Sequence, residues 1–137
     1  MKAITLWQPW ASLIAIGAKQ YETRSWAARY RGPIAIHAAK KDPGKLQISG
    51  KFEAARGELE KAGLAWCLLP TGCIVATAEL VNCWRIGTNT GVVSEKEKLF
   101  GDWTPGRYAW ELANVQMLPE PIPAKGKQGL WNWGAKS

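Results

Sequence analysis

Histidine is nearly missing from this chain: His37 is the single one among 137 residues. Zinc centres are built largely from histidine and cysteine, and the three cysteines, Cys67, Cys73 and Cys83, contain no C-x-x-C spacing. No metal site and no cofactor are therefore expected. An odd cysteine count without paired spacing reads as free thiols in a reducing compartment. No apolar run reaches membrane-spanning length, and the opening "MKAITLWQPW" lacks the continuous apolar core of a secretory leader. The expectation is a cytoplasmic protein with no membrane partner. Glycine-rich phosphate loops of the G-x-G-x-x-G or Walker type are also absent, which argues against nucleoside triphosphate chemistry.

Tryptophan, by contrast, is abundant. There are nine, against three Tyr and two Phe, and an indole offers a broad flat face with one N–H donor. Some must build the core, and the rest are free to stack on a planar ligand such as a nucleobase. Charge is unevenly spread. Residues 1–51 hold nine Lys/Arg against two acids, residues 52–120 hold six against nine, and residues 121–137 hold three and none, within a net charge of +7. Cationic ends favour a phosphate-bearing partner, because basic surface gains affinity by releasing counterions from a polyanion; plain solubility is the competing explanation. At 47% hydrophobic and 21% charged the composition is that of a folded protein, and the length suits one domain, residues 1–137, with one core. The sequence does not fix an oligomeric state; a monomer is the expectation.

"KAITLW" reads as a short strand and "QPWASLIAIGAK" as a helix, with Pro9 in its first turn and Gly17 at its left-handed exit. "KQYETRSW" then alternates with period two, Lys19, Tyr21 and Thr23 on one side and Gln20, Glu22 and Arg24 on the other. "PIAIHAAK" is a strand with Ile34 and Ile36 on one face and His37 on the opposite one. "KKDPGKLQISG" is a loop, and "KFEAARGELEKAG" is an amphipathic helix closed by Gly63. Residues 72–86 form the longest strand candidate, long enough to bend. Ser94 and Glu97 make a capping box, residues 106–118 form another strand with Tyr108, Trp110 and Leu112 on one face, and "PEPIPAKGKQGLWNW" is a Pro/Gly-rich closing segment. The fold class predicted is α+β, mainly β: a small, mostly antiparallel barrel with short helices packed on its outside.

A helix passing through a glycine into a strand delivers Lys19, Glu22 and Arg24 close together. Unpaired charges entering a core are costly, so Lys19 and Glu22 either pair or await a polar ligand; a salt-bridged strand at a sheet edge is the alternative. His37 is a lone strand histidine of the kind that is commonly structural. Lys40 and Lys41 follow it, Arg29 and Arg31 precede it, and Lys125 and Lys127 lie in "PAKGKQG", so that together these could form a nucleic-acid groove. Trp10 and Trp110 lie on apolar faces, Trp26 and Trp103 are the stacking candidates, and Trp131 with Trp133 closes the barrel. Glu79, Glu95 and Glu97 each have a structural explanation, as an outward strand residue, a first-turn acid and a capping-box acid.

"LWQPWASLIAIGAKQYETRSW", "YRGPIAIHAAK", "GCIVATAEL", "PGRYAWEL" and "PAKGKQGLWNW" together resemble the ASCH domain, the activating signal cointegrator homology domain of the PUA-like superfamily. Its G-x-K-x-x-E-x-R signature is matched by Gly17, Lys19, Glu22 and Arg24. The resemblance implies a PUA-like barrel, a cleft lined by those charges, and a role with RNA or DNA. Members of the family include nucleic-acid binders, proteins described as ribonucleases, and a small amidohydrolase of N4-acetylcytidine in which a lysine and a threonine of the signature segment act with a later glutamate. Lys19 matches that lysine, but Glu22 occupies the threonine's position, with Thr23 next to it. The preferred expectation is binding of RNA, single-stranded DNA or a modified nucleoside: Lys19 and Glu22 reading a base, Arg24 bracing Glu22 or meeting phosphate, Trp26 stacking. The alternative is a hydrolase of acylated cytidine, or a ribonuclease, with Lys19, Glu22 and Thr23 as catalytic residues. A third is a protein-interaction module whose exposed tryptophans anchor a partner.

Overall fold

A computed structural model describes residues 1–41, 50–87 and 93–134. Most of the "KKDPGKLQISG" loop lies outside the described residues. The elements run β1 (Lys2–Leu6), α1 (Trp10–Ala15), β2 (Tyr21–Arg24), β3 (Gly32–Ala38), α2 (Gly50–Lys61), a 3-10 turn (Trp66–Leu68), β4 (Cys73–Arg85), α3 (Glu95–Leu99), β5 (Tyr108–Pro123) and β6 (Trp131–Asn132). The fold is mainly β, with one mixed six-stranded sheet in the order β2-β5-β4-β3-β1-β6. Only β1 and β3 pair in parallel; the other neighbours are antiparallel.

The sheet is strongly irregular. The β3–β4 ladder shifts register between Ile36 and His37, and the β4–β5 ladder shifts at three places along β4. Such breaks bend a strand and increase its twist, which is how the expected long strand curls. One break leaves Leu118–Pro121 of β5 without counterparts between the Ile74↔Ile122 and Ala76↔Met117 pairs. Pro119 and Pro121 fall there, where a missing N–H costs no ladder bond. This corrects the reading of "PEPIPAKGKQGLWNW": its first part is still strand, and β5 runs to Pro123.

The expected closure into a barrel is not made by strand pairing among the described residues, because β2 and β6 are the two ends of the hydrogen-bonded order. A side chain spans that seam instead. Arg24 of β2 donates from Nη2 to the carbonyl of Thr5 in β1, 2.8 Å away, so the curled sheet brings its ends within reach without a backbone ladder.

The principal core lies between the concave sheet face and α1: Ile4, Leu6, Ile14, Ile34, Ile36, Leu80 and Trp110 pack there. Leu13 of α1 turns the other way, onto Leu59 of α2 and Phe100. Trp131, with Trp133 packed alongside, covers Ala3, Ala35 and Ile74 on the opposite face; the two tryptophans cap the sheet there rather than close a barrel. Trp10 is half-buried and packs on the first two clusters, and Trp110 is fully buried. The three cysteines are free. No helix among the described residues is long and apolar enough to cross a membrane.

Candidate functional site

The signature segment is positioned by the way α1 ends. Gly17 has a φ of 84°, a conformation glycine adopts without the steric cost a Cβ would bring. Its N–H donates to Ile14 O and that of Ala18 to Leu13 O, both at 3.0 Å, the paired bonds of a Schellman exit. Lys19 N–H also donates to Leu13 O, at 3.1 Å. The chain therefore wraps tightly round the helix end before β2 begins at Tyr21. Strict alternation from residue 19 would send Lys19 and Glu22 to opposite faces; because Lys19 lies in the turn rather than on the strand, both point into one hollow.

Lys19 is sequestered from solvent, its relative exposure being 2%. Its ammonium donates to the carbonyl of Phe100 and faces Glu22 Oε1 at 3.9 Å. Glu22 is gripped from the other side by Arg24, whose Nε donates to Oε2 at 2.6 Å. Arg24 is thus the brace of Glu22 and the bridge to Thr5 at once. Removing a lone ion from water costs several kcal/mol, and here the cost is only partly offset. Burial drives the Lys19 pKa below its ordinary value, against the opposing pull of Glu22 and Glu97 and with a smaller contribution from Arg24 in the same direction as burial.

The opposite wall comes from the segment after α3. Ser94 caps α3, its Oγ accepting from Glu97 N–H at 3.0 Å. The second half of the expected capping box is replaced: the Glu97 carboxylate, buried, accepts from the N–H groups of Gln20 at 2.9 Å and Tyr21 at 3.2 Å. Desolvation raises its pKa, although these N–H groups and Lys19 pull the other way. Glu97 therefore clamps α3 onto the start of β2. Further along, Asp102 N–H donates to Thr23 Oγ1 at 3.1 Å, and Arg107 reaches Thr23 O at 3.3 Å and Asp102 O at 3.2 Å. Gly101 passes so close that an added Cβ would stand 3.2 Å from Thr23 Oγ1.

The result is a hollow of about 500 Å³ bordered by Lys19, Glu22, Thr23, Trp10, Gly101, Asp102 and Arg107. A smaller one, about 250 Å³, adjoins it along the seam between Thr5, Leu6, Trp7 and Arg24. A third, about 930 Å³, opens at the ends of β1, β3 and β5, where His37, Lys40, Lys125 and Lys127 meet.

His37 is buried, with a hydrogen-bond partner at each ring nitrogen. Ala124 O, 2.8 Å from Nε2, can only accept, so Nε2 carries a proton. In the neutral ring Nδ1 then accepts from the Thr5 hydroxyl at 3.2 Å, while Thr5 Oγ1 accepts from Trp131 Nε1 at 3.0 Å. Lys41 is held against Trp7, its ammonium 3.8 Å from the ring centre.

Other expected residues lie elsewhere. Trp26 stands edge-on to Trp110, with centroids 4.8 Å apart, and accepts its indole N–H at the backbone; it borders none of these three hollows. Trp103 sits in an aromatic cluster with Tyr21 and Trp84 and donates to Glu97 O. Arg31 donates to Ala28 O and Tyr30 O in its own loop, and exposed Arg29 also lies away from the three hollows. Phe100, Gly101, Asp102 and Arg107 went unnoticed as pocket residues. The nearest sequence signal is the turn-forming "GDWTPG", which contains Gly101 and Asp102.

A model of the ASCH domain matches residues 4–122. The chain belongs to the ASCH domain family. Activating signal cointegrator 1 of Homo sapiens is 25% identical to it over 136 residues, spanning 97% of this chain, and the protein of that name from Mus musculus gives the same figures. The ASCH chain spans only 22% of the length of these relatives. Among solved structures it resembles the ASCH protein of Zymomonas mobilis, with a TM-score of 0.54 and 19% identity over 89% of this chain and 72% of that one. A tyrosine-to-phenylalanine variant of that Zymomonas mobilis protein gives a TM-score of 0.51 at 19% identity, covering 89% and 74%. These likenesses support the ASCH fold.

Proposed function

We propose that this ASCH domain, acting as one unit over residues 1–137, binds a nucleobase of RNA or single-stranded DNA in the hollow bordered by Lys19 and Glu22. The observation that carries the reading is the sequestered Lys19 ammonium paired at 3.9 Å with a braced carboxylate on the wall of a hollow that Thr23, Gly101 and Asp102 also border. Four charged side chains, two of each sign, meet there. A balanced set suits a neutral heterocycle with donors and acceptors on one edge, because such a ligand satisfies both signs without bringing a charge of its own. Lys19 donates, Glu22 accepts, and Arg24 fixes the carboxylate rather than meeting phosphate. The PUA-like barrel belongs to this proposal as well, with the β1–β2 seam as its open mouth. The free thiols fit a reducing, cytoplasmic setting.

Titration of short RNA and DNA followed by tryptophan fluorescence tests this. Binding of either that weakens with salt and falls about tenfold or more in Lys19→Ala, as expected for loss of a charged hydrogen bond, supports it; no response in the native protein removes it.

Hydrolysis of an acylated cytidine is the second reading, favoured by one observation: Thr23 borders the hollow together with a lysine whose pKa is lowered by burial. A neutral Lys19 could take a proton from a nucleophile, either the Thr23 hydroxyl or a water. Release of cytidine from N4-acetylcytidine by the native chain but not by Lys19→Ala would establish it, and the absence of turnover leaves the binding reading alone.

A further inference from the structure

The three hollows are neighbours. The first and the middle one share Trp10 and Glu22, and the middle and the largest share Thr5. They follow the seam where Arg24 of β2 reaches Thr5 of β1, then pass to the ends of β3 and β5.

Their chemistry changes along the way. The first balances two cations against two acids. The last has Lys40, Lys125 and Lys127 on its rim and no acid among the described residues, over a largely apolar floor that includes Ala39, Pro123 and Ala124. Between them stands Trp7, 56% exposed although its neighbours Leu6 and Gln8 are buried, with Lys41 over its ring. The Lys41 ammonium covers one face of this indole, so the remaining exposed surface is what suits a base, with the cation set for a phosphate alongside.

The rim is also held in place. Thr5 Oγ1 lies 3.3 Å from Lys127 O and accepts from Trp131, while His37 Nε2–H donates to Ala124 O. Gly126 passes so near that a Cβ there would stand 2.6 Å from His37 Cε1 and 2.9 Å from Thr5 Oγ1. Only glycine lets the backbone lie that close. The segment presenting Lys125 and Lys127 is therefore seated on a part-buried polar network rather than left as a loose basic loop.

From this gradient we infer that the far hollow is a phosphate subsite for the same single strand whose base enters the Lys19/Glu22 hollow, with Trp7 stacking a second base on the way. The inference rests on the proposed base site and adds the path and polarity of the ligand: a neutral base is read at one end of the seam, and the phosphodiester backbone is held at the other. A free nucleoside engages only the first hollow. An oligonucleotide engages the whole seam.

The test compares a nucleoside with an oligonucleotide of about 8 residues, long enough to cover a single-strand site, in ribose and deoxyribose forms, against the native chain, Lys125→Ala/Lys127→Ala, Trp7→Ala and Lys19→Met. Lys125, Lys127 and Trp7 are exposed, so these variants are expected to fold, and thermal unfolding verifies that. The expected result is nucleoside affinity unchanged in the double lysine variant, oligonucleotide affinity reduced, and a log-affinity against log-salt slope shallower by about 1.4, at about 0.7 for each single-strand phosphate no longer neutralised. Trp7→Ala loses about tenfold for the oligonucleotide only. Unaltered oligonucleotide affinity and slope in the double variant, with nucleoside binding still dependent on Lys19, overturns the second subsite and leaves the base site standing. Failure of the native chain to bind nucleoside, with oligonucleotide affinity indifferent to Lys19→Met, overturns the base site and the one-strand path with it. The ribose and deoxyribose arms separate RNA from DNA as the source of the strand.

Discussion

Lys19 has a carbonyl and a carboxylate to serve it, yet burial still holds its pKa below the ordinary 10.5. The sign of the consequence follows from proton counting. Between the lowered native value and 10.5 the unfolded chain binds more protons than the native one, so native stability rises with pH across that window; below it the burial penalty is present in full. Lys19→Met keeps an apolar stem and removes the charge, and urea unfolding from neutral to alkaline pH is expected to show the rise in the native chain and not in the variant. Glu97 behaves as the mirror image. Its native pKa lies above the ordinary 4.5, so its contribution is greatest when it is protonated and falls as pH rises from 4.5 through the raised value. Glu97→Gln retains an oxygen for one of the Gln20 and Tyr21 N–H groups and should abolish that fall, measured by the same unfolding series on the acid side.

At the scale of elements, the site depends on two glycines for different reasons. Gly17 is needed for its left-handed backbone at the exit of α1, with open space where a Cβ would stand. Gly17→Ala therefore costs about 1–2 kcal/mol through conformation alone, seen as a Tm lowered by several degrees. Gly126 is needed for closeness instead. Gly126→Ala must push the 124–128 segment off His37 and Thr5, and the expected outcome is weakened oligonucleotide binding with nucleoside binding retained, read by titration of both. What was legible in the sequence divides along the same line. The Schellman exit, the Lys19/Glu22/Arg24 cluster and the Ser94 cap depend on residues a few positions apart, and their spacing announced them. The Gly101–Arg107 wall did not, because Glu97 joins it to β2 across 76 and 77 positions through side-chain bonds to backbone N–H groups, and no periodicity records such a bond. Alternation also misjudged where β2 begins, and so which side Lys19 takes. Trp26 and Arg31 are exposed, as the sequence suggested, while Trp26 also packs edge-on to Trp110 and Arg31 bonds within its own loop.

For the molecule as a whole, the curled sheet explains why the cluster borders a hollow rather than forming a surface ion pair. Its ends meet through Arg24 and Thr5 instead of a ladder, which leaves a seam with hollows along it, and the basic ends of the chain that the charge count singled out contribute Lys19, Lys40, Lys41, Lys125 and Lys127 to that seam. The open edges at β2 and β6 could be seen only after folding, since the strand order alternates short-range and long-range pairings that the chain order does not reveal. The central claim is that a planar, polar heterocycle occupies the hollow that the paired Lys19 and Glu22 border, and amide chemical-shift mapping of the native chain during nucleoside titration tests it most directly. Saturable shifts concentrated at Lys19, Glu22, Thr23, Gly101 and Asp102, and lost in Lys19→Met, are the predicted result; a titration that leaves those amides unmoved, or moves only residues away from the seam, would contradict it.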